Sequence, residues 1–313
     1  MTDRASWRPL ELRPADLGVA GSAEDLAAYL AAERAAVDGM LIDNKALVFR
    51  GFVVTQDALD PVMDELLANR LAYVHGNSPR TKVGDNLYTS TEYPSELTIS
   101  MHNELSYSSR WPSRLLFFCA VAPETGGATP VVDGVRWLEA LDDDVRAAFA
   151  GGVRYRQNLH DGYGLGKSWQ ETFETDSRDE VEAFLAGSGS EWSWHDGGLS
   201  IEQLRPATIR HPVTGAEVWF NQSDQWHPAA LGDDTARELA EIMTADELPQ
   251  SVAYADGSPI PDEHALQVRD RGLASAVDVD WHAGDLLLID NVLVGHGRRP
   301  FTGPRRVLVA MSD

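Results

Sequence analysis

The sequence predicts a mixed α/β, mainly β fold: a double-stranded β-helix (jelly roll) core with helices packed around it. Three observations carry this. Short apolar runs of strand length recur along the chain, Gly and Pro punctuate them, and amphipathic stretches with helix-start signals stand between them.

Taken in order, Ser22-Ala23-Glu24-Asp25 is a helix-start signal, and the spacing predicts an amphipathic helix to about residue 37. The apolar run at 46–49 reads as a strand, and a helix is expected over 57–69. Short helices fit 143–150, 177–186 and 234–243, the second opened by Ser177 and Glu180 as a capping box. Strand-like segments lie at 115–121, 153–155, 218–221, 286–289 and 307–311. No internal repeat, coiled coil, low-complexity linker or domain boundary is visible. Residues 1–313 therefore read as one domain, with the first ~20 residues expected to be peripheral.

Charge and composition narrow the function. With 49 acidic residues against 26 basic ones the formal charge is −23, which repels nucleic-acid phosphates and anionic membrane surfaces. No apolar stretch approaches the roughly 20 residues that span a bilayer, and no charged-then-apolar leader opens the chain. The expectation is a cytoplasmic protein with neither nucleic-acid nor membrane partners. The sole cysteine, Cys119, sits in an apolar run and reads as a buried, inert thiol. Acidic runs such as Asp142-Asp143-Asp144 and Asp233-Asp234 read as solvated surface.

The chemistry concentrates in two distant segments, Met101-His102-Asn103-Glu104 and Gly295-His296-Gly297-Arg298. Two imidazoles and one carboxylate on one face of a metal leave three positions open, the arrangement of non-haem Fe(II) oxygenases. His-X-Glu puts both side chains on one side of an extended segment, and a third ligand closes the face from elsewhere. Among nine histidines an isolated His-X-Glu is a weak signal. Context strengthens it: the apolar run 286–289 leads toward His296, and Arg298, Arg299, Arg305 and Arg306 follow in an otherwise acidic chain, which suits an anionic ligand near the metal.

The stretches Thr91-Glu92-Tyr93-Pro94, MHNELSYSSRWP from Met101, TGGATP from Thr125, Trp219-Phe220-Asn221-Gln222 and HGRRPFTGPRRVLVAM from His296 resemble the taurine/2-oxoglutarate dioxygenase (TauD/TfdA) family. Within it they most resemble the branch of the syringomycin-type aspartyl hydroxylase. The resemblance runs in order from about residue 40 to the C-terminus. It implies that His102, Glu104 and His296 bind Fe(II), with Glu where the family more often carries Asp. It also implies that Thr129 touches the 2-oxoglutarate carboxylate and that an arginine past His296 grips the far carboxylate. Arg306 is the choice and Arg305 the alternate, because strand alternation forbids both from pointing inward. A further arginine of some relatives is replaced here by Ala310. The same pattern puts Thr98, Leu105, Asp224 and His75 near the substrate.

The implied activity is a 2-oxoglutarate-dependent oxygenase using Fe(II) and O2, yielding succinate and CO2 and oxidising an sp3 C–H bond. Glu104 favours hydroxylation over halogenation, since a halogenase of this kind needs a small residue there; desaturation and cyclisation stay open. The implied substrate is an amino acid or amino-acid-derived unit of natural-product biosynthesis. Free and carrier-protein-tethered forms both stand, although two acidic proteins repel each other. A sulfonate or other small organic acid, or a cupin-like metal hydrolase or isomerase, are the alternatives. The nine tryptophans read as packing, and His160, His195, His211, His227, His264 and His282 as solvated or hydrogen-bonded.

Overall fold

A computed structural model describes residues 7–72, 80–91, 93–230, 238, 241–244 and 247–313. His75 and most of the helix expected over 234–243 lie outside them.

A seven-stranded sheet runs in the order Leu10–Leu12, Ala46–Phe49, Leu286–Asp290, Arg114–Val121, Arg306–Ser312, Leu87–Thr89, Lys82–Gly84. Its central strands are apolar except at the end residues Asp290, Arg114, Arg306 and Ser312, as strands covered on both faces must be. Their residues divide by alternation. Leu47, Phe49, Leu116, Phe118, Leu286, Leu288, Leu308 and Ala310 pack outward against Leu26, Leu30, Val37, Leu41, Val62, Met63 and Leu66 of three helices. Ala46, Val48, Leu115, Phe117, Leu287, Ile289, Val307, Val309 and Met311 pack inward, in one cluster with Met101, Val131, Val132 and Val294 of a second sheet. That four-stranded sheet has the order Val277–Val279, Thr129–Asp133, Val294–Arg298, Ile99–His102, every pair antiparallel. A third sheet, Glu191–His195, Gly198–Arg205, Val153–His160, Gln250–Tyr254, packs on the helices Trp169–Phe173 and Arg178–Ser188 through Leu159, Leu199, Ile201, Val181 and Leu185.

The apolar strands fall where the sequence places them, and the helices need three corrections. The helix expected from Ser22 to about residue 37 is two helices, Ala23–Ala32 and Arg34–Asn44. Glu33 leaves helical geometry at φ −112°, so that both apolar stripes turn onto the same sheet. The helix expected over 57–69 is a 3-10 turn, Gln56–Ala58, followed by Asp60–Leu66, because Pro61 has no N–H to continue a helix and is tolerated only in the first turn. The helix Asp262–Ser275 was not expected, although Pro261 and two acids at its start are legible signals. It packs on the indole of Trp137, which donates to Val268 O at 3.0 Å. The N-terminal segment is not wholly peripheral either: Leu10–Leu12 pairs in parallel with Ala46–Phe49 and buries Leu12. Among the described residues no helix is long and apolar enough to cross a membrane.

Gly297 shows how tightly the second sheet is drawn together. A Cβ there would lie 2.4 Å from the Ile99 carbonyl oxygen, where the pairing of Val294–Arg298 with Ile99–His102 shifts register. Gly297→Ala must push these strands apart, so we expect a loss of about 1–3 kcal/mol, the usual cost of overpacking. Equilibrium denaturation of variant and parent measures it; equal midpoints would show that the strands separate freely.

Candidate metal centre

His102 ends the strand Ile99–His102 and His296 lies in Val294–Arg298, and the two are direct partners across the sheet. Their rings sit 4.3 Å apart, centroid to centroid, and Phe117 packs on His296 at 5.0 Å. Glu104 joins them from the turn that follows the strand. Ligand-type atoms of all three side chains lie within 4.8 Å of one another, and all three residues are buried. The His-X-Glu side chains therefore meet, but through a turn and not through strand alternation. Leu105 takes the left-handed backbone conformation at φ 55°, which bends the chain away just past the carboxylate.

That turn is held by Asn291, whose side-chain oxygen accepts from Glu104 N at 2.8 Å while its amide donates to Glu104 O at 3.0 Å and Pro112 O at 2.8 Å. Asn103 in turn donates to Asn291 O at 2.6 Å. Beside Asn291, Asp290 accepts from Val292 N and Leu293 N at 2.9 and 3.0 Å, shaping the bend into the His296 strand. Sequence reasoning missed both residues; their position at the end of the apolar run 286–289 was the available signal.

The imidazoles are tuned for ligation. His102 Nδ1 lies 3.0 Å from Ser100 O, which only accepts, and 3.0 Å from Gln225 Nε2; with the Nδ1 proton on that carbonyl, Nε2 keeps its lone pair. Gln225 Nε2 donates to the same carbonyl at 3.0 Å. Burial lowers the pKa of His102, with Glu104 opposing, and holds that of His296 well below its usual value, assisted by the charges of His102 and Arg80. Both rings are thus neutral near pH 7, the form a metal takes.

One wall of a cavity of about 390 Å³, open mouth included, is formed by His102 and His296; Thr129, Arg305, Arg298, Arg80, Val307 and Val309 complete much of the rest. Thr129 Oγ1 accepts from Trp281 Nε1 at 3.0 Å, which leaves its O–H to donate to an anion. Arg305 donates to Gly127 O at 3.0 Å and lies over the Phe301 ring at 5.5 Å; burial, then Arg298, lowers its pKa to about 10. Gly127, at φ 67°, makes room for it, since a Cβ there would come within 3.1 Å of Arg305 Cδ.

The expectation that Arg306 faces the cavity is overturned: Arg306 is exposed, and Arg305 lines the wall. Val307 and Val309 line it too, and Arg305 shares their parity, while Leu308 and Ala310 pack on the outer helices. A strand buried on both faces carries no pattern that tells which face holds the site. The register also breaks here, Arg306 opposing Val121 and Val307 opposing Cys119. Of the other arginines in that cluster, Arg299 pairs with Asp278 on the surface.

The cavity wall does not include Thr98, Leu105 or Asp224. Thr98 is half-buried, Leu105 belongs to the core cluster, and Asp224 is fully buried on the helix Ser223–Trp226. Burial raises the Asp224 carboxyl to about 7, the Ser100 side chain opposing. Arg80 and Arg298 both line the cavity; the sequence reading named Arg298 only within a basic cluster and Arg80 not at all. Cys119 is buried, its thiol pushed up to about 11, as expected of an inert residue. His211 and His227 are hydrogen-bonded, to Asp290 at 3.0 Å and Ile260 O at 2.9 Å.

A family model, taurine catabolism dioxygenase TauD, TfdA family, matches residues 11–311. The chain is 37% identical over 280 residues to the dapdiamide synthesis protein DdaC of Enterobacter agglomerans, covering 88% of this chain and 84% of that one. It is 30% identical over 289 residues to a clavaminate synthase-like protein of Arabidopsis thaliana, covering 88% and 83%. Among solved structures, an asparagine oxygenase in complex with Fe(II), 2S,3S-3-hydroxyasparagine and succinate shares the fold with TM-score 0.55 at 14% identity, covering 93% of this chain and 83% of the other. PvcB of Pseudomonas aeruginosa does so with TM-score 0.52 at 15% identity, covering 99% and 88%. The chain belongs to the TauD/TfdA family and is a 2-oxoglutarate-dependent dioxygenase that uses Fe(II).

Proposed function

We propose that the chain acts as one oxygenase domain, its two facing sheets forming a double-stranded β-helix. His102, Glu104 and His296 hold Fe(II), Arg305 and Thr129 hold 2-oxoglutarate, and the substrate is an amino acid or amino-acid-derived unit, free or carrier-tethered, hydroxylated at an sp3 C–H in natural-product biosynthesis. The observation that carries this reading is that both histidines, Thr129 and Arg305 line a single cavity. Two neutral imidazoles and a carboxylate fit Fe(II), and a threonine hydroxyl beside a guanidinium fits a carboxylate. The substrate class is supported by relatives: the DdaC name places that protein in dapdiamide synthesis, and the asparagine oxygenase was solved with a hydroxylated amino acid.

With 2-oxoglutarate and O2, the iron supplies the oxidation of the C–H bond, and the cosubstrate leaves as succinate and CO2. The chain's own groups place and shield the reactants. Ser100 O and Gln225 Nε2 engage the His102 ring at Nδ1, which leaves Nε2 for the metal. Asn291 holds the Glu104 backbone from both its N–H and its carbonyl. Trp281 orients the Thr129 hydroxyl, and Gly127 with Phe301 seats the Arg305 fork. Because Glu104 fills the third place of the face, hydroxylation is favoured over halogenation.

His102→Ala and His296→Ala are each expected to lose most Fe(II) affinity and essentially all turnover. Anaerobic Fe(II) titration reads this, and parent-like affinity in both variants would remove the site. Arg305→Lys gives up the two-pronged contact and should raise the 2-oxoglutarate requirement by about tenfold or more, with Arg306→Lys near the parent. The opposite ranking would restore Arg306. Mass spectrometry on free amino acids, the same acids loaded on carrier proteins, and taurine should show gain of one oxygen on an amino-acid form. Oxidation of taurine alone would move the assignment to sulfonates.

A further inference from the structure

Arg298 stands two positions past His296 on the same strand, lines the cavity and is buried, only 5% exposed. Its guanidinium engages one turn: Nη1 donates to Tyr93 O at 2.8 Å, and Nη2 donates to Leu97 O at 3.0 Å and to Pro94 O. That turn, closed by Leu97 N on Pro94 O at 3.2 Å, joins two residues of the cavity wall, Thr91 and Ile99. Phe301 grips it as well, its N–H donating to Ser95 O at 2.9 Å. The Phe301 ring is shared by two cations, the Arg298 guanidinium at 5.2 Å and that of Arg305 at 5.5 Å. Arg305 also sets Nε on Gly127 O at 3.0 Å and Nη1 on Ser90 Oγ at 3.4 Å. Gly127 N in turn donates to Pro300 O at 2.8 Å, which ties the carbonyl under Arg305 to the segment that carries Phe301. Two like charges repel, so their approach to one ring is held by these bonds to backbone and not by each other.

We propose that Arg298 is a positioning residue of the cosubstrate site: by holding the 93–97 turn it sets the Phe301 ring, and through that ring it fixes the Arg305 fork for the far carboxylate of 2-oxoglutarate. This rests on the metal and cosubstrate reading above and deepens it by naming what keeps Arg305 in register. A two-pronged grip on a carboxylate needs a long, flexible side chain locked by its surroundings, and a supporting shell that is slightly loose loses the ligand. Arg298 acts by shape as well as charge. Lysine there keeps the charge but has no planar fork to lay across three carbonyls and an aromatic ring.

The test is calorimetry on the Mn(II)-loaded protein with two ligands: N-oxalylglycine, which carries the far carboxylate, and oxalate, which chelates the metal and lacks it. Arg298→Lys and Arg298→Gln should each bind N-oxalylglycine at least about tenfold more weakly, the lower end of what losing a supporting group around a metal site costs. Their Mn(II) and oxalate affinities should stay within about twofold of the parent, the scatter expected of independent sites. Phe301→Leu removes the shared ring, keeps the backbone bond to Ser95, and should show the same selective loss. In an Arg305→Gln background, Arg298→Lys should change N-oxalylglycine affinity by less than about twofold, because a residue that acts through another then has nothing to act on. Parent-like N-oxalylglycine affinity in Arg298→Lys overturns the proposal by reducing Arg298 to its charge. Losses that multiply across the Arg298 and Arg305 variants overturn it by making Arg298 a ligand in its own right, and equal losses for oxalate or Mn(II) overturn it by marking general damage. If the Arg298 variants do not fold, Phe301→Leu decides, and parent-like binding there overturns the proposal. Parent-like N-oxalylglycine affinity in Arg305→Gln removes the cosubstrate reading and this one with it, whereas a weakened Arg305→Gln beside indifferent Arg298 variants removes this one alone.

Discussion

Everything at the centre depends on holding a turn against a strand, because Glu104 and His296 come from segments nearly two hundred positions apart in the chain and belong to no common ladder. Asn291 supplies the link. Its side chain spans the N–H and the carbonyl of Glu104 and reaches Pro112 O, while its own carbonyl accepts from Asn103. A buried amide with every donor and acceptor directed at backbone admits one geometry, since leaving any of these groups unpaired inside the protein costs a full desolvation penalty. The bend that Asp290 builds beside it then sends the chain from the seven-stranded sheet into the strand that carries His296.

The two faces of the large sheet divide the work. The outer face is closed by the helices Ala23–Ala32, Arg34–Asn44 and Asp60–Leu66, and it contributes packing alone. The inner face shares its core with the four-stranded sheet and ends at the cavity, where Val307 and Val309 give way to Arg305. A polar site at the rim of an apolar core gains field strength from that core: the same burial that lowers the histidine pKa values strengthens every charge–charge contact within the cavity. The cations answer each other as well, Arg298 contributing to the depressed pKa of Arg305.

This electrostatic design contrasts with the whole-molecule charge. A chain of net charge −23 encloses a cavity bearing three arginines, so the acidic surface and the basic interior address different things. The surface sets solubility and discourages nucleic acid. The interior offers fixed guanidinium donors, which suit small anions that can leave water.

Chemistry confined to a few residue types was legible in the sequence. His102, Glu104 and His296 stood out because the apolar run ahead of His296 and the arginines after it gave a weak His-X-Glu signal its context, and the apolar strands stood out because runs such as 286–289 fit no exposed position. Cys119 was legible for the same reason, lying within an apolar run. Three-dimensional packing decided the rest. Arg305 and Arg306 are chemically identical neighbours, and only the pairing of their strand with Arg114–Val121 assigns one to the cavity and the other to solvent. Asp224 carries the right chemistry for a ligand contact, yet the fold buries it completely, off the cavity wall. Arg80 lies in no recognisable motif, and only folding brings its guanidinium to Glu104. Residue type and period determine what a segment can do and whether it is buried; which face, which partner and which of two like neighbours are set by contacts between segments distant in sequence, and no local pattern encodes those.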